Sequence, residues 1–321
     1  MNDVLLDAVG LNKTFGNGVK AVHNVSMTVR RGETVGLVGE SGCGKSTTAK
    51  MLLRLLTPDS GQLRFDGQDL MSARGSKLRR LRKELQVVPQ NPQTSLNPRL
   101  TVRQSVEFNL RAHSFPRSEW SQRVSNLLDR VGLTARHGDS YPHEMSGGQL
   151  QRAAIARALA TEPKLVICDE AVSALDKSVQ AQVLNLLAEL QRELGVAYLF
   201  ISHDLSVVEH ISDRVVVMYL GRVVEEGPAR SVWAAPSHPY TSTLLSASPG
   251  TGRSRIVLEG DPPNPANPPT GCVFHTRCPV AFDRCPVEAP SLRTVGRQHN
   301  SACLLTSPER PVAMPVVTAM S

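Results

Sequence analysis

A lysine, a hydroxyl and two adjacent acids, each at the end of a short apolar or glycine-rich stretch, are the residues of this chain best suited to chemistry on a phosphate. Gly39-Glu-Ser-Gly-Cys-Gly-Lys45-Ser46-Thr47 follows the pattern GxxxxGK[ST]. Its glycines let the backbone wrap closely, so N–H groups along Gly39, Ser41, Gly42, Gly44 and Thr47 are expected to point at phosphate oxygens. The helix that starts at Lys45 turns its positive end toward the same anion. Lys45 can reach the β- and γ-phosphates, and Ser46 offers a hydroxyl to Mg²⁺. The acids come from Leu165-Val-Ile-Cys-Asp169-Glu170. Asp169 would hold the Mg²⁺ shell, and Glu170 would polarise an attacking water as general base, an effect worth ~10²–10⁴-fold in rate. The cofactors implied are a nucleoside triphosphate and Mg²⁺. No NKxD guanine reader is evident in the sequence, which favours ATP over GTP.

The elements that must carry these residues read as α/β. Val35–Gly39, Leu165–Cys168, Val196–Ser202 and Arg214–Tyr219 are short apolar runs of strand length, separated by helical stretches such as Val179–Leu194. Strands alternating with helices imply a mainly parallel sheet covered on both faces. Residues 91–160 are polar, helix-rich and without a convincing strand, which suggests a helical subdomain inserted into that core. Ser237–Pro249 reads as a short helix, and Asp261–Gly271 (DPPNPANPPTG) as a proline-rich linker unable to form a helix or central strand. The expected division is a nucleotide-binding unit over 1–235, a helix and linker over 236–270, and a cysteine-containing extension over 271–321.

The 321 residues suffice for one large domain with an appendage. No apolar run approaches the ~20 residues that cross a bilayer. The start, MNDVLLDAVGLNK, lacks the charged-then-apolar pattern of a secretory signal, so a cytosolic location is expected. The net charge of +7 is spread along the chain except for a knot at Lys77–Lys83 (KLRRLRK). Such a knot suits phosphates of nucleic acid or lipid, but its simpler reading is a solvated helix face.

A third motif, Met145-Ser146-Gly147-Gly148-Gln149, brings the chain into resemblance with the ABC ATPases, whose signature reads LSGGQ. Met for Leu conserves volume. The resemblance implies a P-loop cassette in which Ser146, Gly147, Gly148 and Gln149 bind the γ-phosphate of ATP held by a second cassette. It also implies that Gln90, in VVPQNP, contacts Mg²⁺ and water. Ser173-Ala-Leu-Asp176 would cross the dimer interface, and His203 would act as the switch histidine at the γ-phosphate. Phe15, in KTFG, sits where the family stacks an aromatic on adenine, worth ~1–3 kcal/mol per base. This likeness covers roughly residues 4–235.

Two further stretches, Pro89–Arg99 and Ser237–Leu245, resemble the oligopeptide/dipeptide/nickel importer group. That resemblance implies an ATPase that powers peptide import, with nickel or another small solute as the alternative cargo and a nucleic-acid-associated ATPase as a distant one. The partners implied are a second ATPase subunit (paralogue or self), two transmembrane permeases and an extracytoplasmic substrate-binding protein, with no nucleic acid. The location implied is peripheral, on the cytoplasmic face of the inner membrane.

Cys272, Cys278, Cys285 and Cys303 cluster beyond the linker. In a cytosolic chain, stable disulfides are disfavoured. Four thiolates suit tetrahedral Zn²⁺ or a [4Fe–4S] cluster, although the spacing lacks a tight CxxC knuckle. Some members of the importer group carry an iron–sulfur cluster on a similar tail, so [4Fe–4S], Zn²⁺ and no metal all remain open, with His275 and His299 as substitute ligands. Cys43 and Cys168 read as structural.

Overall fold

The computed structural model describes residues 3–247, 254–258 and 260–306. The chain opens with two long strands, β1 (Val4–Thr14) and β2 (Lys20–Arg30), then the short buried β3 (Thr34–Val38) and helix α1 (Lys45–Leu52). Next come β4 (Ser60–Phe65), β5 (Gln68–Asp69), α2 (Gly75–Glu84) and β6 (Leu85–Val88). A run of helices comes after these: α3 (Pro92–Ser95), α4 (Val102–Ala112), α5 (Arg117–Arg130), α6 (Ala135–Asp139) and α7 (Gly147–Leu159). The chain then alternates β7 (Leu165–Asp169), α8 (Lys177–Leu194), β8 (Ala197–Ser202), α9 (Leu205–Ile211), β9 (Arg214–Tyr219) and β10 (Arg222–Pro228). It closes with α10 (Ala229–Ala234), α11 (Pro239–Ser246), β11 (Arg293–Gly296) and β12 (His299–Ser301).

The central sheet runs β11-β12-β10-β9-β3-β8-β7-β6. Its middle, from β9 to β6, is parallel. β3 and β8 are buried at every position, as expected of parallel strands covered on both faces, where apolar runs are continuous. The α/β expectation therefore holds, and the apolar runs named from sequence form its middle strands. A second, antiparallel sheet, β2-β1-β4-β5, was not anticipated. β1 shows interrupted pairing registers with both neighbours, which blurs the two-residue alternation by which a strand is recognised.

Helix ends explain where the chain turns. Asp176 caps α8 by accepting the Val179 N–H, and Gly195 closes it in the left-handed region at φ 66°. Thr101 and Gln104 form a reciprocal capping box at the start of α4. Between residues 91 and 160 the described structure is helical and turned. The helix expected over Ser237–Pro249 is α11, and its last two residues lie outside the described ones.

The extension does not stand apart from the sheet. β12 pairs antiparallel with β10 through Glu225↔Ser301 and Glu226↔Asn300, and β11 pairs with β12. Phe274 is fully buried against Tyr219 and Tyr240, with ring centroids 5.2 and 5.4 Å away. A tail too small for its own core is thus packed on the nucleotide-binding unit.

Glu225, completely buried, knots this junction. It accepts the backbone N–H groups of Ser237 (2.6 Å) and His238 (3.0 Å), and His299 Nε2 lies 2.7 Å from its Oε1. His238 is also buried, and burial pushes its pKa down to about 4, with the Glu225 charge opposing the shift. The folded value lies below the unfolded one, so between about pH 6.5 and 4 the unfolded chain binds more protons. Stability is expected to fall across that window as pH drops, by up to roughly 3 kcal/mol from this group. Denaturant titrations at stepped pH check this. His238→Asn keeps an acceptor for the Tyr240 N–H and is expected to flatten that limb.

Candidate functional site: a phosphate loop with a carboxylate pair

The phosphate loop leaves β3 at Gly39 and enters α1 at Lys45. Two of its glycines are obligatory. Gly39 has φ 152°, and a Cβ there would lie 2.2 Å from the Met218 carbonyl oxygen; Gly44 has φ 106°, and a Cβ would lie 2.2 Å from the Ala21 carbonyl oxygen. The loop is therefore wedged between β9 and β2. Ser41, Gly42 and Ser46 face solvent, Thr47 is half-buried and Lys45 is buried. Lys45 Nζ donates to the carbonyls of Gly39 (2.7 Å) and Glu40 (2.9 Å), which holds the ammonium inside the loop.

β3, β8 and β7 are parallel neighbours, so the residues at their C-terminal ends share one edge of the sheet. Ligands of open α/β sheets bind at such an edge. Asp169 ends β7, and its Oδ1 accepts the Ser46 hydroxyl at 3.3 Å. Burial raises the Asp169 pKa; the Ser46 hydrogen bond counters this and the Glu170 charge adds to it. Ser46 with Asp169 is the pair that could hold Mg²⁺. Glu170 is reached from both sides: Gln90 Nε2 donates to Oε2 at 2.8 Å, and His203 Nδ1 lies 3.4 Å from Oε1. Gln90 follows β6 and His203 follows β8, so three strand ends bring these groups to one carboxylate. The arrangement suits activation of a water beside a metal-bound phosphate.

The other predicted residues lie elsewhere on the chain. Phe15 is 40% exposed, at a tight turn in which Gly18 N–H donates to the Phe15 carbonyl. Ser146 caps α7 by accepting the Gln149 N–H, while Gln149 Oε1 accepts the Ser146 N–H at 2.9 Å. That reciprocal box was legible as S-x-x-Q, a signal beyond the signature itself. Ser146 and Gly147 face solvent, and Gly148 lies under Val179 of α8. No described hydrogen bond joins Ser146–Gln149 to Gly39–Thr47. Asp176 caps α8, and the Ser173 hydroxyl donates to the Glu170 carbonyl at 2.9 Å, tying that loop to the acid.

The basic knot on α2 is largely used within the fold. Arg79 donates to the Ala112 carbonyl and the Ser114 hydroxyl, Arg82 donates to the Arg54 carbonyl, and Lys83 lies 4.1 Å from the centre of the Phe115 ring. The Arg79 and Lys83 ties stitch α2 to the helical insertion, and the Arg82 tie joins it to the turn after α1.

Cys272, Cys278, Cys285 and Cys303 all line one cavity of about 10 Å³, with His275 beside them. Burial pushes the Cys278 thiol up to about 12 and Cys303 to about 11, and raises Cys272. The donor set is right in kind for a thiolate-bound group. A cluster or zinc site nonetheless does not follow from the packing, because among the described residues no three His, Cys, Asp or Glu side chains are grouped to hold a metal ion. His299 does not line that cavity, and its Nε2 meets Glu225 instead. Cys43 and Cys168 are buried, and burial raises both thiols, in keeping with structural roles.

The sequence gives no role to Glu40, at an unspecified position of the loop motif, or to Tyr240 and Arg277, which the fold brings to it. Glu40 N–H donates to the Tyr240 hydroxyl at 2.8 Å, and Arg277 Nη1 donates to Glu40 Oε2 at 2.9 Å. Contacts across about 200 residues leave no local signal.

Comparisons with known proteins agree with this geometry. A family model described as ABC transporter matches residues 22–173, and one described as oligopeptide/dipeptide transporter, C-terminal region, matches residues 224–285. The chain is 52% identical over 306 residues to the oligopeptide transport ATP-binding protein AppF of Bacillus subtilis (strain 168), covering 93% of each. It is 47% identical over 298 residues to the oligopeptide transport ATP-binding protein OppF of Salmonella typhimurium, covering 90% of this chain and 89% of that one. Among solved structures, cbiO1 of Clostridium perfringens, part of the ABC transporter complex cbiONQ, superposes with TM-score 0.67 and 34% identity over 73% of this chain and 92% of its own. A dimeric post-hydrolysis state of the ATP-binding cassette MJ0796 bound to ADP and Pi gives 0.64 and 29%, over 70% of this chain and 99% of its own.

Proposed function

Since this chain belongs to the ABC transporter family of ATP-binding subunits, we propose that it hydrolyses ATP to power peptide import through membrane permeases. The observation that carries the reading is the meeting of Ser46 with Asp169 and of Gln90 and His203 with Glu170 at one sheet edge. The peptide cargo is supported by the oligopeptide/dipeptide C-terminal match and by relatives whose names specify oligopeptide transport.

In this reading ATP lies along Gly39–Thr47 with its adenine on Phe15. The loop amides, the α1 N-terminus and Lys45 hold the β- and γ-phosphates. Ser46 and Asp169, with Gln90 nearby, would hold Mg²⁺, which would supply charge neutralisation at the phosphoryl group being transferred. Glu170 takes a proton from the attacking water; Gln90 and His203 orient its carboxylate, and His203 faces the γ-phosphate. Ser146, Gly147, Gly148 and Gln149 serve the ATP of a second cassette: the solvent-facing helix start supports this, as does the dimeric form recorded for MJ0796. Besides that second cassette, the partners are two permeases and an extracytoplasmic binding protein, with the chain peripheral on the cytoplasmic face of the inner membrane. Among the described residues no helix is long and apolar enough to cross a membrane.

The finer cofactor reading, [4Fe–4S] or Zn²⁺ on Cys272, Cys278, Cys285 and Cys303, is supported by the shared pocket and opposed by the lack of a preformed metal group. Iron, sulfide and zinc analysis of anaerobically purified protein decides it: about four irons and four sulfides mean a cluster, and absence of all three makes the pocket a packing element.

The function is tested by reconstituting the chain with its permeases and binding protein in vesicles. Peptides are expected to stimulate ATP hydrolysis and to enter the lumen. Stimulation by nickel alone would replace the cargo, and stimulation by DNA without permeases would replace the whole reading.

A further inference from the structure

Glu40 is the second residue of the phosphate loop, and it is held at three points. Its carbonyl accepts Lys45 Nζ at 2.9 Å and the Cys43 N–H at 3.2 Å, so it shapes the loop from within. Its N–H is taken by α11, through Tyr240 (2.8 Å), and its carboxylate by the C-terminal extension that follows, through Arg277 (2.9 Å). Neither partner is a loose surface group. Tyr240 is fully buried, and its ring lies 4.6 Å from Tyr219 and 5.4 Å from Phe274. The Arg277 side chain is 9% exposed and ends a short turn, His275–Arg277, that leads directly into the thiol pocket at Cys278.

We propose that Arg277 and Tyr240 are positioning residues for the phosphate site: by clamping Glu40 they pre-shape the loop, so that ATP affinity depends on the docking of the C-terminal extension. The proposal rests on the reading of Gly39–Thr47 as the phosphate loop. The bond at the Glu40 carboxylate is charge-assisted and runs from a nearly buried Arg277 to a half-buried Glu40, and bonds of that kind are stronger than those between neutral groups. Glu40 gains a second restraint at its N–H, and its carbonyl is one of two oxygens that hold the Lys45 ammonium. With the extension docked, the lysine and the loop amides are ordered before ATP arrives. With the clamp broken, that ordering is taken from the binding free energy and the apparent affinity falls with the competent fraction. Chemistry is little changed, because Glu170, Gln90 and His203 lie on other strand ends.

The test is steady-state hydrolysis by the full transporter, with MgATP binding by the purified chain as a second readout. Arg277→Ala and Glu40→Gln are expected to raise KM and Kd for ATP roughly tenfold while kcat stays within about threefold, and the double variant to be no worse than either single one, as for residues acting as one unit. Arg277→Lys is expected to restore most of the affinity, since it returns a cation to the same carboxylate. If Arg277→Ala does not fold, the near-isosteric Glu40→Gln decides alone. Unchanged KM and Kd in folded Glu40→Gln, or additive losses in the double variant, overturn the clamp. Failure of the unmodified chain to bind MgATP at all would instead remove the phosphate-loop reading beneath it.

Discussion

Replacing Glu170 by Gln leaves ATP binding intact and lowers hydrolysis by roughly 10²–10⁴-fold, the range a positioned general base supplies. The local backbone is built to place this one carboxylate. Strand β7 ends at Asp169, and Glu170 turns out of it with φ 49°, a left-handed conformation uncommon for a residue with a side chain. Its N–H donates to the Ile201 carbonyl at 2.9 Å, and its own carbonyl accepts both the N–H and the hydroxyl of Ser173. The turn is thus pinned on both sides and the side chain meets Gln90 and His203. Gln at this position keeps the volume and can still pair with Gln90, but it cannot accept the proton of water. Nucleotide binding by fluorescence and phosphate release measured on the same preparation separate the two effects. Turnover at the native rate would take the general-base role from Glu170.

Gly44→Ala is expected to weaken MgATP binding by about a hundredfold or more, the penalty typical of moving reacting or binding groups by about 1 Å. Two independent costs meet there. The left-handed φ of 106° is closed to alanine, at a strain of order 1–3 kcal/mol. The new methyl would also sit 2.2 Å from the Ala21 carbonyl oxygen, within β2, a strand paired along its length with β1. Backbone on both sides means that neither neighbour can yield as a flexible side chain would. The loop must shift, and with it the start of α1, where the Thr48 hydroxyl now donates to the Gly44 carbonyl at 3.0 Å. Titration calorimetry with MgATP, alongside a thermal melt without nucleotide, shows whether the loss is in the loop or in the whole domain. Near-native affinity would mean that the loop has more room than its wedge between β2 and β9 implies.

The phosphate loop, the acid pair and the middle strands of the sheet were all legible in the residues, because each is local. Gly39–Thr47 is a contiguous run whose glycines state the backbone they need, and Leu165–Cys168 is an apolar run whose length matches its single role as a buried strand. The antiparallel sheet was less legible. Its long strands are broken by register shifts, and the partner that justifies each exposed or buried position lies on another strand. The cysteines show both sides of this. Their proximity in sequence suggested a metal site, and the fold does bring all four to one pocket; whether they stand close enough for a metal depends on the turns between them, and the packing does not group them so.

By itself the sequence singled out a loop suited to cradle a phosphate, an acid pair suited to hold a metal and activate water, and a helix start at Ser146 suited to a second anion. These depend on residue types at fixed short spacings, which helices and strands convert directly into geometry. Only the tertiary structure decided that Gln90 and His203 meet at Glu170, that β12 and β11 extend the nucleotide-binding sheet beyond β10, and that Arg277 and Tyr240 grip Glu40. Each of those contacts joins groups that no local rule relates. The burial that brings them together is non-directional and cooperative over the whole chain, so their pairing exists only once the sheet has been assembled.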